Sequence, residues 1–266
     1  MVALIRCLLL LVLVSGCVST SVAPPAALAD LASSGRLRAG INFGNPVLVQ
    51  KNPATGTPMG LAVDLAQELG RRLGVPVELV TFDAAGKMAD AVKRGEWDIA
   101  FLAVDPVRAA DISFSAPYLE IEGVYLVPAG SSLRTNEDVD RDGVRVAVGK
   151  GSAYDLYLTR ELKRAQLVRA PTSPAAVEMF ARDRLEVSAG VKQQLVAASP
   201  TIPGSRILPG RFMAIGQAAG VPHGRDAGAA YVRAFIEDAK ASGFVARSLA
   251  RHGIEGASIA PPAPLR

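Results

Sequence analysis

Very few residues in this sequence suit metal, thiol or imidazole chemistry. It has two cysteines and two histidines in 266 residues. Cys7 and Cys17 both lie at the very start, so the rest of the chain has no thiol for a structural disulfide, a cysteine-ligated zinc or a cysteine nucleophile. His223 and His252 stand late in the chain without an acidic cluster at metal-ligand spacing, so neither a metal nor another cofactor is expected. Basic residues exceed acidic ones by only 29 to 25, for a net charge of +4. Scattered arginines such as Arg36, Arg145 and Arg211 carry the excess. No lysine-rich tail and no basic stretch interleaved with aromatics is present, so no nucleic-acid partner is expected. Half the residues are apolar and a fifth are charged, which excludes a disordered chain. The length allows one large domain or two modest ones.

The first residues point to export. Arg6 precedes the apolar run Leu8–Val14, which is too short to span a bilayer as an ordinary helix. Val14-Ser15-Gly16-Cys17 follows, and then a polar, proline-bearing stretch. This resembles a bacterial lipoprotein signal, in which small residues precede the cysteine that becomes both the new N-terminus and the lipid anchor. Residues 1–17 are then a signal peptide, Cys17 the lipidated residue and residues 18–33 a linker. A soluble-export signal cut near Ala23 and an uncleaved anchor are the alternatives.

Beyond the linker, hydrophobic periodicity alternates between two and nearly four residues. Leu37–Ile41 reads as a strand. Leu65, Leu69 and Leu73 mark a helix over Val63–Leu73 that Gly74 and Pro76 stop. Val77–Phe82 is a strand, Met88, Ala91 and Val92 mark a helix ended by Gly95, and Asp98–Val104 is almost continuously apolar, as in a parallel strand covered on both faces. A second unit of this kind has strands Val144–Val148, Leu167–Arg169 and Leu185–Ala189 and helices Ala153–Arg164 and Pro174–Arg182. Helices Ala227–Ala241 and Gly243–Arg251 precede a proline-rich end. Two extended apolar pieces, Tyr118–Val127 and Phe212–Gly216, lie between and after the units. Pattern alone leaves open two α/β lobes joined by a double hinge or one continuous Rossmann-like domain.

Five segments carry a resemblance over roughly Leu37 to Arg251. They are Leu37-Arg38-Ala39-Gly40, Met59-Gly60-Leu61-Ala62-Val63-Asp64-Leu65-Ala66, Gly95-Glu96-Trp97-Asp98-Ile99, Pro106-Val107-Arg108 and Ile112-Ser113-Phe114-Ser115-Ala116-Pro117-Tyr118. In this order and spacing the chain resembles bacterial extracellular solute-binding proteins of family 3, the amino-acid-transporter type. The resemblance implies a two-lobed, type II periplasmic-binding-protein-like α/β fold with a double hinge. Lobe 1 is then residues 34–119 plus 216–252, lobe 2 residues 124–211, the hinge strands 120–123 and 212–215, and the flexible tail 253–266. It further implies a monomer on the periplasmic side of a membrane, closing on a small carboxylate-bearing solute for an ABC permease.

The resemblance also assigns a site. Arg108 matches the arginine that grips a ligand carboxylate, a task that suits its planar, permanently charged fork. Gly151 and Ser152 match a pair that opens a second-lobe helix and offers backbone N–H groups and a hydroxyl to an anion. Lys150 adds positive charge beside them. Asn45 stands where an aromatic commonly flanks the ligand, and Val191 where an aspartate usually holds an α-amino group. With that aspartate missing, an ammonium could be paired only by Asp105, Glu120, Glu122 or Glu186, of which Asp105 stands in the loop just before Arg108. The expected ligand is therefore a small organic acid, or an amino acid held through Asp105. No residue is assigned a catalytic role. A cyclic-acid dehydratase-like enzyme on the same fold and a ligand-sensing accessory lipoprotein are the rival functions.

Overall fold

The computed structural model describes residues 23–264, so Cys7, Cys17 and the signal reading of residues 1–17 lie outside it. Part of the expected linker is helical. Helix α1 (Pro25–Leu31) buries Ala27 and Leu31, which give it an apolar face to lay against the late helix Asp226–Ala241. The first α/β unit follows as β1 (Leu37–Asn42), the small hairpin β2 (Gln50–Lys51) and β3 (Pro58–Met59), α2 (Leu61–Leu73), β4 (Val77–Phe82), α3 (Ala85–Asp90), β5 (Ile99–Ala103) and β6 (Ile112–Phe114). Helix α2 buries Leu61, Leu65, Leu69 and Leu73, one residue per turn on one stripe, and ends at Gly74 in the left-handed conformation (φ 71°). It begins two residues earlier than Val63 because Gly60 already serves as the N-cap.

A long strand, β7 (Leu119–Val127), leads into the second unit: β8 (Arg145–Gly149), α4 (Ala153–Glu161), β9 (Gln166–Ala170), α5 (Ser173–Arg182), β10 (Val187–Val191), α6 (Lys192–Ala198) and β11 (Arg206–Ile207). The chain returns through β12 (Met213–Pro222) to α7 (Asp226–Ala241), α8 (Phe244–Arg251) and β13 (Ser258–Ile259). Helix α4 stops short of Arg164 because the Asp140 carboxylate accepts the N–H groups of Lys163, Arg164 and Ala165 and holds them out of the helix. Strand β10 starts two residues later than Leu185, whose N–H bonds back to Phe180 O and closes the end of α5.

The sheet order is β4-β1-β5-β12-β7-β10-β8-β9. Strand β1 is parallel to β4 and β5, and β8 is parallel to β9 and β10. Between these parallel triplets, β7 and β12 run antiparallel, pairing with each other from Met213 opposite Gly123 to Gln217 opposite Leu119. Each then departs: β12 pairs with β5 over residues 217–220, and β7 with β10 over 123–126. The result is two lobes on a double crossing. One unbroken domain is thereby excluded.

The proline-rich end, expected to be a flexible tail, packs on this crossing. Strand β13 pairs with Leu119 and Glu120 of β7, Lys240 Nζ bonds the carbonyls of Pro117 (3.1 Å) and Pro261 (2.8 Å), and Gln193 of lobe 2 bonds Glu255 O (3.0 Å).

Both lobes use the same ionic device at the start of their first strand. Asp98, 1% exposed, accepts Arg38 N (3.0 Å) and Nε (2.9 Å) on one oxygen, and Arg38 Nη2 and Arg225 Nη1 (both 2.8 Å) on the other. Arg145 binds Glu186 in the same way through N, Nε and Nη2 (2.8–2.9 Å), so Glu186 is not available to a ligand. Burial opposes ionisation of Asp98, but the hydrogen bonds from Arg38 and Arg225 outweigh it and hold the carboxyl below its ordinary range. That contribution to stability is complete above the ordinary carboxylate pKa and is lost as pH falls through the lowered value. Asp98→Ala should therefore lower the unfolding free energy at neutral pH by about 3 kcal/mol by leaving two arginines without their counter-ion. In urea titrations at pH 7 and pH 3, the variant should also lose less stability on acidification than the parent.

Candidate ligand site between the lobes

Arg108 reaches the interlobe space through a tight turn after β5. Asp105 Oδ1 accepts the Val107 N–H (2.8 Å) and Asp105 O accepts the Ala109 N–H (2.9 Å), which swings residue 108 back under the strand. The arginine is buried, 5% exposed. Its Nη1 donates to Ala103 O in lobe 1 and its Nη2 to Gly151 O in lobe 2, both at 2.9 Å, while the buried Nε has no partner. Burial lowers its pKa to about 10 against the opposing charge of Asp105, so it stays cationic at any physiological pH.

The facing lobe contributes the turn from β8 into α4. Gly151 adopts the left-handed conformation (φ 69°), and its N–H donates to Asp155 Oδ2 (2.8 Å). Ser152 is the N-cap of α4, its Oγ accepting the Asp155 N–H at 3.1 Å. Tyr154 Oη donates to Ser173 Oγ at 2.7 Å, bringing the start of α5 into the site.

The two lobes touch here. A Cβ built on Gly86, in α3, would lie 3.0 Å from both Gly151 Cα and Lys150 O, and one built on Gly151 would lie 2.8 Å from Gly86 Cα. Arg160, on α4, pairs across the gap with Asp105 at 3.0 Å. These contacts close a cavity of about 30 Å³, room for a water molecule or two. Outside Arg108, an open groove of about 510 Å³ runs between Lys87 and Asp90 on one side and Lys150 and Arg169 on the other.

The structure brings Arg108, Ser152 and Asn45 together in the cavity wall, and places Gly151 and Lys150 with Arg108 at the outer groove. Asp105 is turned away. Its carboxylate, 4% exposed, is occupied by Arg160 and the Val107 N–H, so it does not face a ligand. Glu122 pairs with Lys192 (2.7 Å), beside the crossing strands. Val191 lines the cavity, as an apolar residue.

Sequence reasoning missed Asn42, Gln217, Tyr154 and Ser173, all in the same wall. Gln217 carried a readable signal, being a lone amide in the apolar run Met213–Val221; it is 3% exposed. Neither histidine belongs to the wall. His252 instead bonds Asp64 (2.8 Å), which also holds Arg251 (2.7 Å) and Ser248. Among the described residues no cluster of metal-ligating side chains occurs, and no helix is long and apolar enough to cross a membrane.

Two α/β lobes on a double crossing, with a cavity between them whose mixed wall carries one cation and several polar side chains, define a hinged solute-binding architecture. The chain belongs to the bacterial extracellular solute-binding proteins, family 3, whose model matches residues 37–254. No curated protein matches it in sequence. Among solved structures it is similar to a mutant of ArgBP from T. maritima, at 22% identity over 85% of this chain and 99% of that one, with a TM-score of 0.73. An amino acid ABC transporter substrate-binding protein from Streptococcus pneumoniae, bound to L-arginine, matches at 16% identity over 88% and 99%, with a TM-score of 0.72. An ancestral amino acid-binding protein, AncCDT-1, a precursor of cyclohexadienyl dehydratase, matches at 20% over 84% and 98%, with a TM-score of 0.71. At these identities the likeness speaks for the fold alone.

Because the lobes meet backbone to backbone at Gly86, a branched side chain there cannot be accommodated in the closed form. Gly86→Val should hold the lobes apart, and small-angle scattering should read a larger radius of gyration than for the parent, with unchanged helix content by circular dichroism.

Proposed function

We propose that the chain is an extracytoplasmic solute-binding lipoprotein, tethered through Cys17, that takes a small carboxylate-bearing solute between its lobes and delivers it to an ABC permease. The observation that carries this reading is Arg108, a buried guanidinium that spans the cleft with its Nε unpartnered and its Nη2 resting on Gly151 O of the other lobe. When the lobes part, that Nη2 loses its acceptor. A carboxylate supplied by the solute restores it with two charge-assisted bonds, and closure then buries the pair. Binding and closure are thus coupled through one side chain, and β7 and β12 provide the bending axis.

A binding role is favoured over dehydration of a cyclic acid by the cavity wall itself. It holds a cation, amides and hydroxyls, whereas proton transfer needs an acid or base poised near neutrality. A sensory partner in place of a permease would rest on the same hinge closure.

Two measurements test the reading. A thermal-shift screen of small carboxylates followed by calorimetry should find a ligand that raises the melting temperature. Arg108→Ala should weaken its affinity by roughly 2–4 kcal/mol, about 30- to 1,000-fold, with the unliganded protein still folded. Separately, Cys17→Ser should abolish incorporation of labelled palmitate and release the protein from the membrane fraction.

A further inference from the structure

The cavity wall differs from what an amino acid needs. We infer that the solute is a small acceptor-rich acid without an ammonium group, a 2-oxo acid or a dicarboxylic acid; this rests on the proposed carboxylate site at Arg108. The inference comes from what each polar group in the wall has left to offer. Asn42 Oδ1 already accepts the Gly44 N–H (2.8 Å) and Asn45 Oδ1 the Val47 N–H (3.2 Å), so each asparagine presents its NH2 group to the cavity. Ser152 Oγ accepts the Asp155 N–H and Ser173 Oγ accepts the Tyr154 hydroxyl, which leaves each serine its own proton to donate. With Arg108 these groups make a donor-rich arc, and the Gln217 amide and the apolar Leu48, Phe101, Val191 and Ile215 complete the wall.

Acceptors of negative charge are missing from the same wall. No aspartate or glutamate lines it. Asp105 and Asp155, close in sequence to Arg108 and Ser152, are engaged by Arg160 (3.0 Å) and by Arg169 (2.9 Å), and Asp111, equally near Arg108, by Lys93 (3.3 Å). An ammonium closed into this space would meet donors and a guanidinium, with no counter-ion to offset its desolvation. Oxygen atoms of a carbonyl or second carboxylate would instead meet hydrogen-bond donors. Length is limited separately in the closed form, because the backbone contact between Gly86 and Gly151 has no flexible side chain that could give way.

Calorimetry on the intact protein with matched pairs tests this: pyruvate with alanine, malate with aspartate, 2-oxoglutarate with glutamate, and arginine and lysine alone. At least one acid should bind, its amino counterpart should bind tenfold or more weakly, and arginine and lysine should give no heat. An amino acid that binds as tightly as its paired acid overturns the inference, and so does a panel silent throughout, since the commitment is to acids of this size. The Arg108→Ala variant separates the two readings. If it keeps the preferred acid, the site reading fails while rejection of the ammonium stands; if an amino acid binds and needs Arg108, only the present inference fails.

Discussion

The pairing of β7 with β12 is the constraint on which the remaining geometry depends. Each strand gives half its length to the other and half to a different parallel sheet, with Ile121 opposite Ile215 in the shared half. At any one residue a strand has room for one neighbour on each side, so this arrangement puts the two parallel triplets at opposite ends of one twisted sheet and leaves a cleft where their helices face each other. The carboxyl ends of β5 and β8 open onto that cleft, which is where the turns bearing Arg108 and Ser152 begin. The C-terminal segment strengthens the crossing from outside. Strand β13 adds to β7 at Leu119 and Glu120, and Lys240 and Gln193 attach the segment to both lobes.

Charge is distributed by the same economy of partners. Carboxylates that brace each lobe internally are engaged: Asp98 by two arginines, Glu186 by Arg145, Asp64 by Arg251 and His252. Two beside the cleft are engaged as well, Asp105 across the lobes and Asp155 within lobe 2. Arg108 alone among these charged groups is matched only by backbone carbonyls. Such an arginine is held in place but not neutralised, a state that suits an exchangeable anion better than a permanent structural tie.

Local physics made much of the fold legible. The four-residue recurrence of Leu65, Leu69 and Leu73, the unbroken apolar run after Asp98 and the glycines at 74 and 95 each identify an element without reference to anything distant. Departures arose where a remote group intervened. Asp140 ends α4 from more than twenty residues away, and Leu185 is claimed by α5 rather than β10 through its bond to Phe180. The linker and tail readings also depended on local composition, and α1 and β13 form because α7 and β7 lie beside them. In the site, Arg108, Ser152 and Asn45 were reached through the resemblance. Asn42, Tyr154 and Ser173 carried no local mark, since an amide at a strand end reads as a turn residue, a tyrosine in a helix as core and a serine in a helix's first turn as part of a cap.

The sequence by itself determined the two α/β units, the apolar crossings between them and the absence of any cysteine beyond its first residues, because periodicity and composition act over a few neighbouring positions. Which groups face the solute was decided only by tertiary structure. Whether Asp105 answers a ligand or Arg160, and whether an asparagine offers its oxygen or its nitrogen, depends on partners brought close by the fold.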